Sequence, residues 1–132
     1  MEELLSRILV IDDDDLVRNM IGRMLERAGF EIMMAKNGRE GLARFHTAPP
    51  DLIVTDVIMP ELDGIETIMA LRQAAPAIPI IAVSGGGKAH AMQFLDVAHK
   101  LGADLILPKP FRQADLVSAV TRLLERAKQD VA

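Results

Sequence analysis

Five short apolar runs alternate along the chain with stretches in which apolar residues recur at helical spacing. The runs lie within residues 7–12, 30–35, 49–56, 78–84 and 104–108, and the third of these segments begins with a turn at PPD before it enters the strand. Near-continuous apolar runs of this length are typical of strands buried on both faces of a parallel sheet, with helices packed against each side. The alternation therefore predicts a doubly wound α/β sandwich built from five β-α units.

The same alternation continues from one end of the chain to the other. No internal linker, repeat or low-complexity tract interrupts it. A chain of 132 residues has the size of one ordinary domain. We therefore expect a single domain over residues 1–132, with its core at about 7–128, and no output domain.

The overall charge argues against nucleic acid as a direct ligand. The formal net charge is −4, whereas phosphate-binding surfaces normally carry a basic patch. No apolar segment approaches the roughly 18 residues needed to cross a bilayer, so no membrane insertion is expected. The residues at the start, Met1, Glu2 and Glu3, do not resemble a signal peptide. The absence of cysteine fits a reducing compartment, and the cytoplasm is the default location.

The first apolar run leads directly into four consecutive aspartates, residues 12–15. Adjacent carboxylates repel one another and cost free energy to desolvate, so such a cluster is either fully solvated or built around a cation. Asp14 and Asp15 fit the N-cap and first turn of the following helix, where negative charge is favourable. Asp12 and Asp13 require a different explanation.

Polar residues also stand where three other predicted strands end. The third strand ends at Asp56, the fourth ends at Ser84, and the fifth runs into Lys109. Ligands of open parallel sheets bind beyond the carboxyl ends of the strands, so we expect these side chains to meet Asp12 and Asp13 at one edge. Three acids sharing a site are tolerable around a hard cation, and Mg²⁺ is the expected cofactor.

With these positions identified, the chain resembles a response-regulator receiver domain, the family of the chemotaxis regulator CheY. The resemblance covers essentially the whole chain. It rests on four motifs in order: IDDDD at 11–15, DVIMPELDG at 56–64, SG at 84–85 and KPF at 109–111. It implies a flavodoxin-like fold whose five-stranded parallel sheet has the order 2-1-3-4-5, which is carried over from the family.

The resemblance implies a phosphoacceptor and a metal site. Asp56 would receive a phosphoryl group from a phosphohistidine, supplied by a histidine kinase or a histidine phosphotransfer protein. The implied Mg²⁺ ligands are Asp12, Asp13, Asp56 and the backbone carbonyl of Ile58. The metal would neutralise charge on the transferring group.

The resemblance also assigns residues to the bound phosphate. Lys109 would pair with one phosphoryl oxygen, and Ser84 would hydrogen-bond another once phosphate is present. Gly85 would leave space for access, because a bulky residue there would block the phosphate. The peptide bond before Pro110 is expected to be cis, an isomer that an X-Pro bond adopts at low cost.

We expect a signalling domain rather than an enzyme, with slow autodephosphorylation. The resemblance implies that faster receivers place the attacking water with polar side chains at two positions, which Ile58 and Gly86 occupy here. The phosphorylated surface is expected to act in trans. Its target would be an unidentified effector protein or, by onward phosphotransfer, a histidine phosphotransfer protein.

Alternative interpretations compete with the receiver. The segment DDDLV at 13–17 fits the pattern of haloacid-dehalogenase-type phosphatases, with Asp13 as nucleophile, but leaves DVIMPELDG unexplained. The glycine-rich segment SGGGKAH at 84–90 fails as a phosphate-binding P-loop, because Ala82 and Ala89 replace residues that this motif needs. A degenerate receiver that never carries phosphate is disfavoured by the intact set of site residues.

Overall fold

In the computed structural model, which describes residues 5–57, 64–84 and 91–131, strands and helices alternate as predicted. The strands are β1 (Arg7–Ile11), β2 (Glu31–Ala35), β3 (Leu52–Asp56), β4 (Ile80–Ser84) and β5 (Leu105–Pro108). The helices are α1 (Asp15–Arg27), α2 (Gly38–Thr47), α3 (Gly64–Ala74), α4 (Ala91–Leu101) and α5 (Gln113–Val131). None of these helices has both the length and the apolar character needed to span a membrane.

The strands form one sheet in the order β2-β1-β3-β4-β5. Every neighbouring pair is parallel. The predicted doubly wound, flavodoxin-like architecture is therefore confirmed. The strand order changes direction between β1 and β3, and the carboxyl ends at such a switch point form the crevice in which open α/β sheets bind ligands.

Alternate residues of the strands pack into two cores, one on each face of the sheet. Leu9 and Ile53 pack on the face covered by α2, α3 and α4. Val10 and Val54 pack on the face covered by α1 and α5. This pattern follows from the two-residue period of a strand. The central strands β1, β3 and β4 are buried apart from Arg7, whereas the edge strands are only partly buried, so the prediction of uniformly buried strands is wrong at the edges.

One strand begins later than the apolar pattern predicts. The fourth strand was expected from residue 78, but the first residue of β4 is Ile80. Pro79 stands just before this start, and a proline has no N–H group to donate to a sheet. The third strand begins at Leu52, after the turn predicted at the start of segment 49–56, and the other three strands agree with their predicted bounds to within one residue.

The N-terminus of α1 uses two of the four consecutive aspartates. Asp14 is the N-cap, and its side chain accepts hydrogen bonds from the backbone N–H groups of Leu16 and Val17. Asp15 lies in the first turn. Both roles were predicted. Asp14 supplies hydrogen-bond acceptors to N–H groups of the first turn, and the negative charge of Asp15 is favourable at the positive end of the helix dipole. The remaining two aspartates are therefore free of any capping role and stand at the end of β1.

Arg72 of α3 joins the loops that precede β4 and β5. Its guanidinium donates to the backbone carbonyl of Ile78 at 2.7 Å and to that of Gly102 at 2.6 Å. It also pairs with the Asp104 carboxylate at 3.0 Å, and that carboxylate accepts a hydrogen bond from the Ile80 N–H at 2.8 Å. The network holds the amino ends of two strands together, at the end of the sheet opposite the predicted site.

Candidate functional site

The carboxyl ends of four strands bring distant parts of the chain to one edge. Asp12 follows β1 directly, Asp56 ends β3, Ser84 ends β4 and Lys109 follows β5. Lys109 Nζ lies 3.2 Å from Asp12 Oδ2 and 3.8 Å from Asp56 Oδ2. The ammonium group is therefore shared by two carboxylates that come from different strands.

Three carboxylates at this edge could hold a metal ion. Asp12, Asp13 and Asp56 each offer one oxygen atom, and these atoms lie within 4.8 Å of one another. Carboxylate oxygens are the ligands that Mg²⁺ prefers in proteins, so oxygens this close together could hold one ion. Asp12 is 0% exposed and Asp56 is 6% exposed, whereas Asp13 is exposed. The donor set fits a hard cation that is reached from the solvent side.

The Asp12 carboxylate is buried with only partial compensation of its charge. Its Oδ1 accepts a hydrogen bond from the Asp14 N–H at 2.9 Å, and its Oδ2 faces the Lys109 ammonium. Burial nevertheless raises the pKa of Asp12, because desolvation penalises the charged form more than these two contacts stabilise it. The neighbouring Asp13 carboxylate also raises the pKa of Asp12. A cation bound at this site would favour the ionised form.

Ser84 is buried, and its hydroxyl has no hydrogen-bond partner among the described residues. A buried hydroxyl without a partner costs about 1–3 kcal/mol. The backbone carbonyl of Ser84 accepts a hydrogen bond from the Lys109 N–H at 2.9 Å, which ties the end of β4 to the end of β5. The free hydroxyl is therefore available to an acceptor oxygen that the protein itself does not supply.

The remaining predicted site residues divide into two groups. The peptide bond between Lys109 and Pro110 is cis, the isomer that the family resemblance implies. The backbone carbonyl of Ile58, Gly85 and the water-placing position at Gly86 lie outside the described residues. Their roles stay predictions.

Arg18 lies beside the site and was not predicted from the sequence. Its guanidinium donates to the backbone carbonyl of Asp12 at 2.9 Å and forms an ion pair with Asp15. Oppositely charged residues three positions apart on a helix commonly pair, so the spacing could have indicated the contact with Asp15. The contact with Asp12 depends on how α1 leaves the sheet, and residue spacing carries no signal for it.

Comparison with known proteins identifies the family. A family model described as the response regulator receiver domain matches residues 8–121. The response regulator MprA of Mycolicibacterium vanbaalenii is 38% identical over 125 residues, which are 94% of this chain and 52% of MprA. The alkaline phosphatase synthesis transcriptional regulatory protein PhoP of Bacillus subtilis is 37% identical over 93% of this chain and 50% of PhoP. The chain therefore spans about half the length of these relatives.

Solved structures of receiver domains match the fold of this chain over nearly its whole length. A response regulator receiver domain protein from Clostridium thermocellum has a TM-score of 0.86 and 31% identity, and the match covers 95% of this chain and 98% of that one. A CheY-like receiver domain protein from Methanospirillum hungatei has a TM-score of 0.88 and 26% identity, covering 96% of this chain and 99% of that one. These relatives are response regulators and not phosphatases, which decides against Asp13 as the nucleophile of a phosphatase. The motifs, the strand order and the family match agree, and the chain belongs to the response regulator receiver domain family, whose members are signalling domains of two-component systems.

Proposed function

We propose that Asp56 accepts a phosphoryl group from a partner's phosphohistidine and that the chain then signals in trans. The observation that carries this proposal is the Lys109 ammonium, which lies 3.2 Å from Asp12 Oδ2 and 3.8 Å from Asp56 Oδ2. Phosphoryl transfer needs a nucleophile in position and fixed positive charge beside the transferring oxygens. A carboxylate and an ammonium held together at the ligand-binding edge of the sheet supply both.

In the proposed reaction, a carboxylate oxygen of Asp56 attacks the phosphorus atom. The bond between phosphorus and the donor's imidazole nitrogen breaks, and its electron pair stays on that nitrogen. Asp56 becomes an acyl phosphate. Lys109 then pairs with a phosphoryl oxygen instead of with the Asp56 carboxylate, and Ser84 donates its hydroxyl hydrogen to another phosphoryl oxygen. The second contact gives the Ser84 hydroxyl the acceptor that it lacks among the described residues.

Asp12, Asp13 and Asp56 are the side chains that would hold Mg²⁺, with the backbone carbonyl of Ile58 as a further ligand. When bound, the ion supplies positive charge to the phosphoryl oxygens and helps to orient them. Asp12 contributes a buried carboxylate whose charge is only partly balanced by the protein. Asp13 contributes an exposed carboxylate on the side from which an ion would enter.

The phosphoryl donor in this proposal is a histidine kinase or a histidine phosphotransfer protein. The output is binding of an effector protein or onward transfer of the phosphoryl group. Leu16 and Met20 on α1 are large exposed apolar side chains close in sequence to the acidic cluster, and such side chains favour contact with another protein. We propose that residues 1–132 act as one domain without direct contact to nucleic acid, in keeping with the net charge of −4.

Labelling with acetyl phosphate and MgCl₂ tests the phosphoacceptor. We expect stoichiometric label in the wild-type chain and none in Asp56→Asn. Asp96→Asn is the matched control, because Asp96 is an exposed aspartate on α4 that should not affect labelling. Label that persists in Asp56→Asn at the wild-type level would refute the assignment. Transfer of label from phosphorylated protein back to a histidine phosphotransfer protein would identify a shuttle, and its absence a terminal regulator.

A further inference from the structure

The Arg18 side chain turns back from α1 to the start of the acidic cluster. Its Nη1 donates to the backbone carbonyl of Asp12 at 2.9 Å, and its Nη2 contacts Asp15 Oδ1 at 2.5 Å. The side chain is only 15% exposed, although arginine is usually a surface residue. The planar guanidinium group thus holds two oxygen atoms in a fixed geometry, which is an arrangement that lysine cannot reproduce.

These contacts complete the fixation of the Asp12 backbone. The Asp12 N–H donates to the Ala35 carbonyl at 3.1 Å, and the Asp12 Oδ1 accepts from the Asp14 N–H at 2.9 Å. Arg18 holds the remaining backbone group, the carbonyl of Asp12. That carbonyl belongs to the peptide plane that links Asp12 to Asp13, because a peptide unit is planar from one Cα atom to the next. Arg18 therefore restrains the direction in which the chain enters Asp13.

Asp13 needs this restraint more than the other two carboxylates do. It is exposed, and it forms no hydrogen bond or ion pair with any residue that the structure describes. Within the part of the chain that the structure describes, no contact holds its side chain, and its position there depends on the backbone. For a metal ligand, groups that orient it from outside the coordination sphere often decide affinity.

We propose that Arg18 is a positioning residue for Mg²⁺ binding, acting through the Asp12–Asp13 peptide on the Asp13 carboxylate. The inference rests on the proposed function, since it assumes that Asp12, Asp13 and Asp56 hold the ion. Arg18 does not contact the ion itself. It reduces the number of backbone conformations that must be given up when Asp13 becomes a ligand.

A purely electrostatic role for Arg18 predicts the opposite effect. A cation next to a cation site repels the ion, so removal of that charge should tighten Mg²⁺ binding. Asp15 pairs with Arg18 and opposes its charge at the cation site, so we infer that the hydrogen bond to Asp12 makes the larger contribution. The sign of the change in Mg²⁺ affinity therefore distinguishes positioning from charge repulsion.

The experiment is a calorimetric titration of unphosphorylated protein with MgCl₂. We expect Arg18→Met to weaken Mg²⁺ binding about tenfold, the lower end of the range for groups that orient metal ligands, and Arg18→Lys to weaken it less. Arg23→Met is the matched control, because it removes the same charge from an exposed position of the same helix. Circular dichroism with EDTA shows whether each variant is folded without the ion.

A second measurement separates positioning from general damage to the fold. The rate of labelling by acetyl phosphate is followed over a range of MgCl₂ concentrations. For Arg18→Met we expect the concentration that gives half the maximal rate to rise by the same factor as the dissociation constant. The maximal rate at saturating MgCl₂ should be retained, whereas a poorly folded variant would lose maximal rate.

Each outcome has one meaning. Weaker Mg²⁺ binding by Arg18→Met, with Arg23→Met unchanged, supports the inference. Equal or tighter binding by Arg18→Met overturns it, while the proposed function stands as long as wild type binds Mg²⁺ and is labelled. If Arg18→Met does not fold, Arg18→Lys takes its place, and wild-type affinity in that variant overturns the inference. Failure of the wild-type chain to bind Mg²⁺ refutes the metal site and the inference with it.

Discussion

Replacing Ser84 with alanine should stabilise the unphosphorylated protein. The Ser84 hydroxyl is buried and has no hydrogen-bond partner among the described residues, and such a group costs about 1–3 kcal/mol. Removal of one oxygen atom also forfeits a few dispersion contacts, each of about 0.1–0.2 kcal/mol. We therefore expect the free energy of unfolding to rise by about 1 kcal/mol. For a chain of 132 residues, that corresponds to an increase in melting temperature of about 3–4 °C.

Thr55→Val is the matched control for this substitution. Thr55 is also a buried hydroxyl residue in a central strand, but its Oγ1 donates to the backbone carbonyl of Asp56 at 3.1 Å. Loss of a satisfied hydrogen bond should lower the free energy of unfolding by about 1 kcal/mol. The two variants therefore differ in the sign of their effect, although both remove one buried hydroxyl group.

Urea unfolding followed by circular dichroism, in EDTA and without phosphate, measures both effects. If Ser84→Ala is no more stable than wild type, the hydroxyl already has a partner in solution and the reasoning fails. A second comparison connects stability to function. Phosphorylation by acetyl phosphate should raise the melting temperature of wild type more than that of Ser84→Ala, because the variant cannot form the hydrogen bond to the phosphoryl oxygen.

Three further predictions concern the metal site, the far end of the sheet and pH. Millimolar MgCl₂ should raise the melting temperature of wild type by mass action on the folded state, and it should not raise that of Asp13→Ala. A wild-type melting temperature that does not change with MgCl₂ would contradict the cation site. Arg72→Met should lower the free energy of unfolding by about 2 kcal/mol, because several backbone carbonyls lose a charged donor. The control Arg44→Met breaks a more exposed ion pair and should change the free energy of unfolding by less than about 0.5 kcal/mol. Both variants should be labelled normally by acetyl phosphate, and equal stability of the two would contradict the importance of the Arg72 network. Burial raises the pKa of Asp12 above its unfolded value, so the stability that this group contributes is present below the unfolded pKa and lost as pH rises through the folded pKa. Without Mg²⁺, Asp12→Asn should therefore gain stability relative to wild type as the pH rises above the unfolded pKa of about 4. A pH-independent difference in urea unfolding would contradict this.

The sequence was sufficient to predict the helices and strands and to place the residues of the candidate site at one edge of the sheet. Apolar periodicity is a local property, so β1 and α1 could be located to within a residue or two. Asp12, Asp56 and Lys109 could be assigned to one edge, because the carboxyl ends of parallel strands lie together. The strand order could not be predicted in this way, because no local pattern encodes which strands are neighbours. It was predicted correctly, but from the family resemblance alone.

Contacts made by long side chains were not predictable. Arg72 contacts the carbonyl of Gly102, 30 positions away, and Arg18 contacts a carbonyl six positions earlier. Their directions depend on how a helix leaves the sheet, which residue types and spacing do not specify. Likewise, the sequence predicted a hydroxyl at Ser84 but not that it would find no partner among the residues that the structure describes, because hydrogen bonding depends on the atoms that surround it after folding.

Two features of the site cost free energy in the unphosphorylated protein, and a bound ligand would offset each of them. Lys109 balances the charge of the buried Asp12 carboxylate only in part, and the buried Ser84 hydroxyl lacks an acceptor oxygen among the described residues. A cation supplies further positive charge to Asp12, and a phosphoryl group supplies the acceptor to Ser84. Each ligand therefore stabilises the fold by an amount that includes the cost it removes. Because the Lys109 N–H is bonded to the Ser84 carbonyl, a movement of Ser84 towards a phosphoryl group on Asp56 would also displace the backbone that carries Lys109. The ends of β4 and β5 should then respond to phosphorylation together, whereas the amino ends of the same strands, held by Arg72, should stay in place.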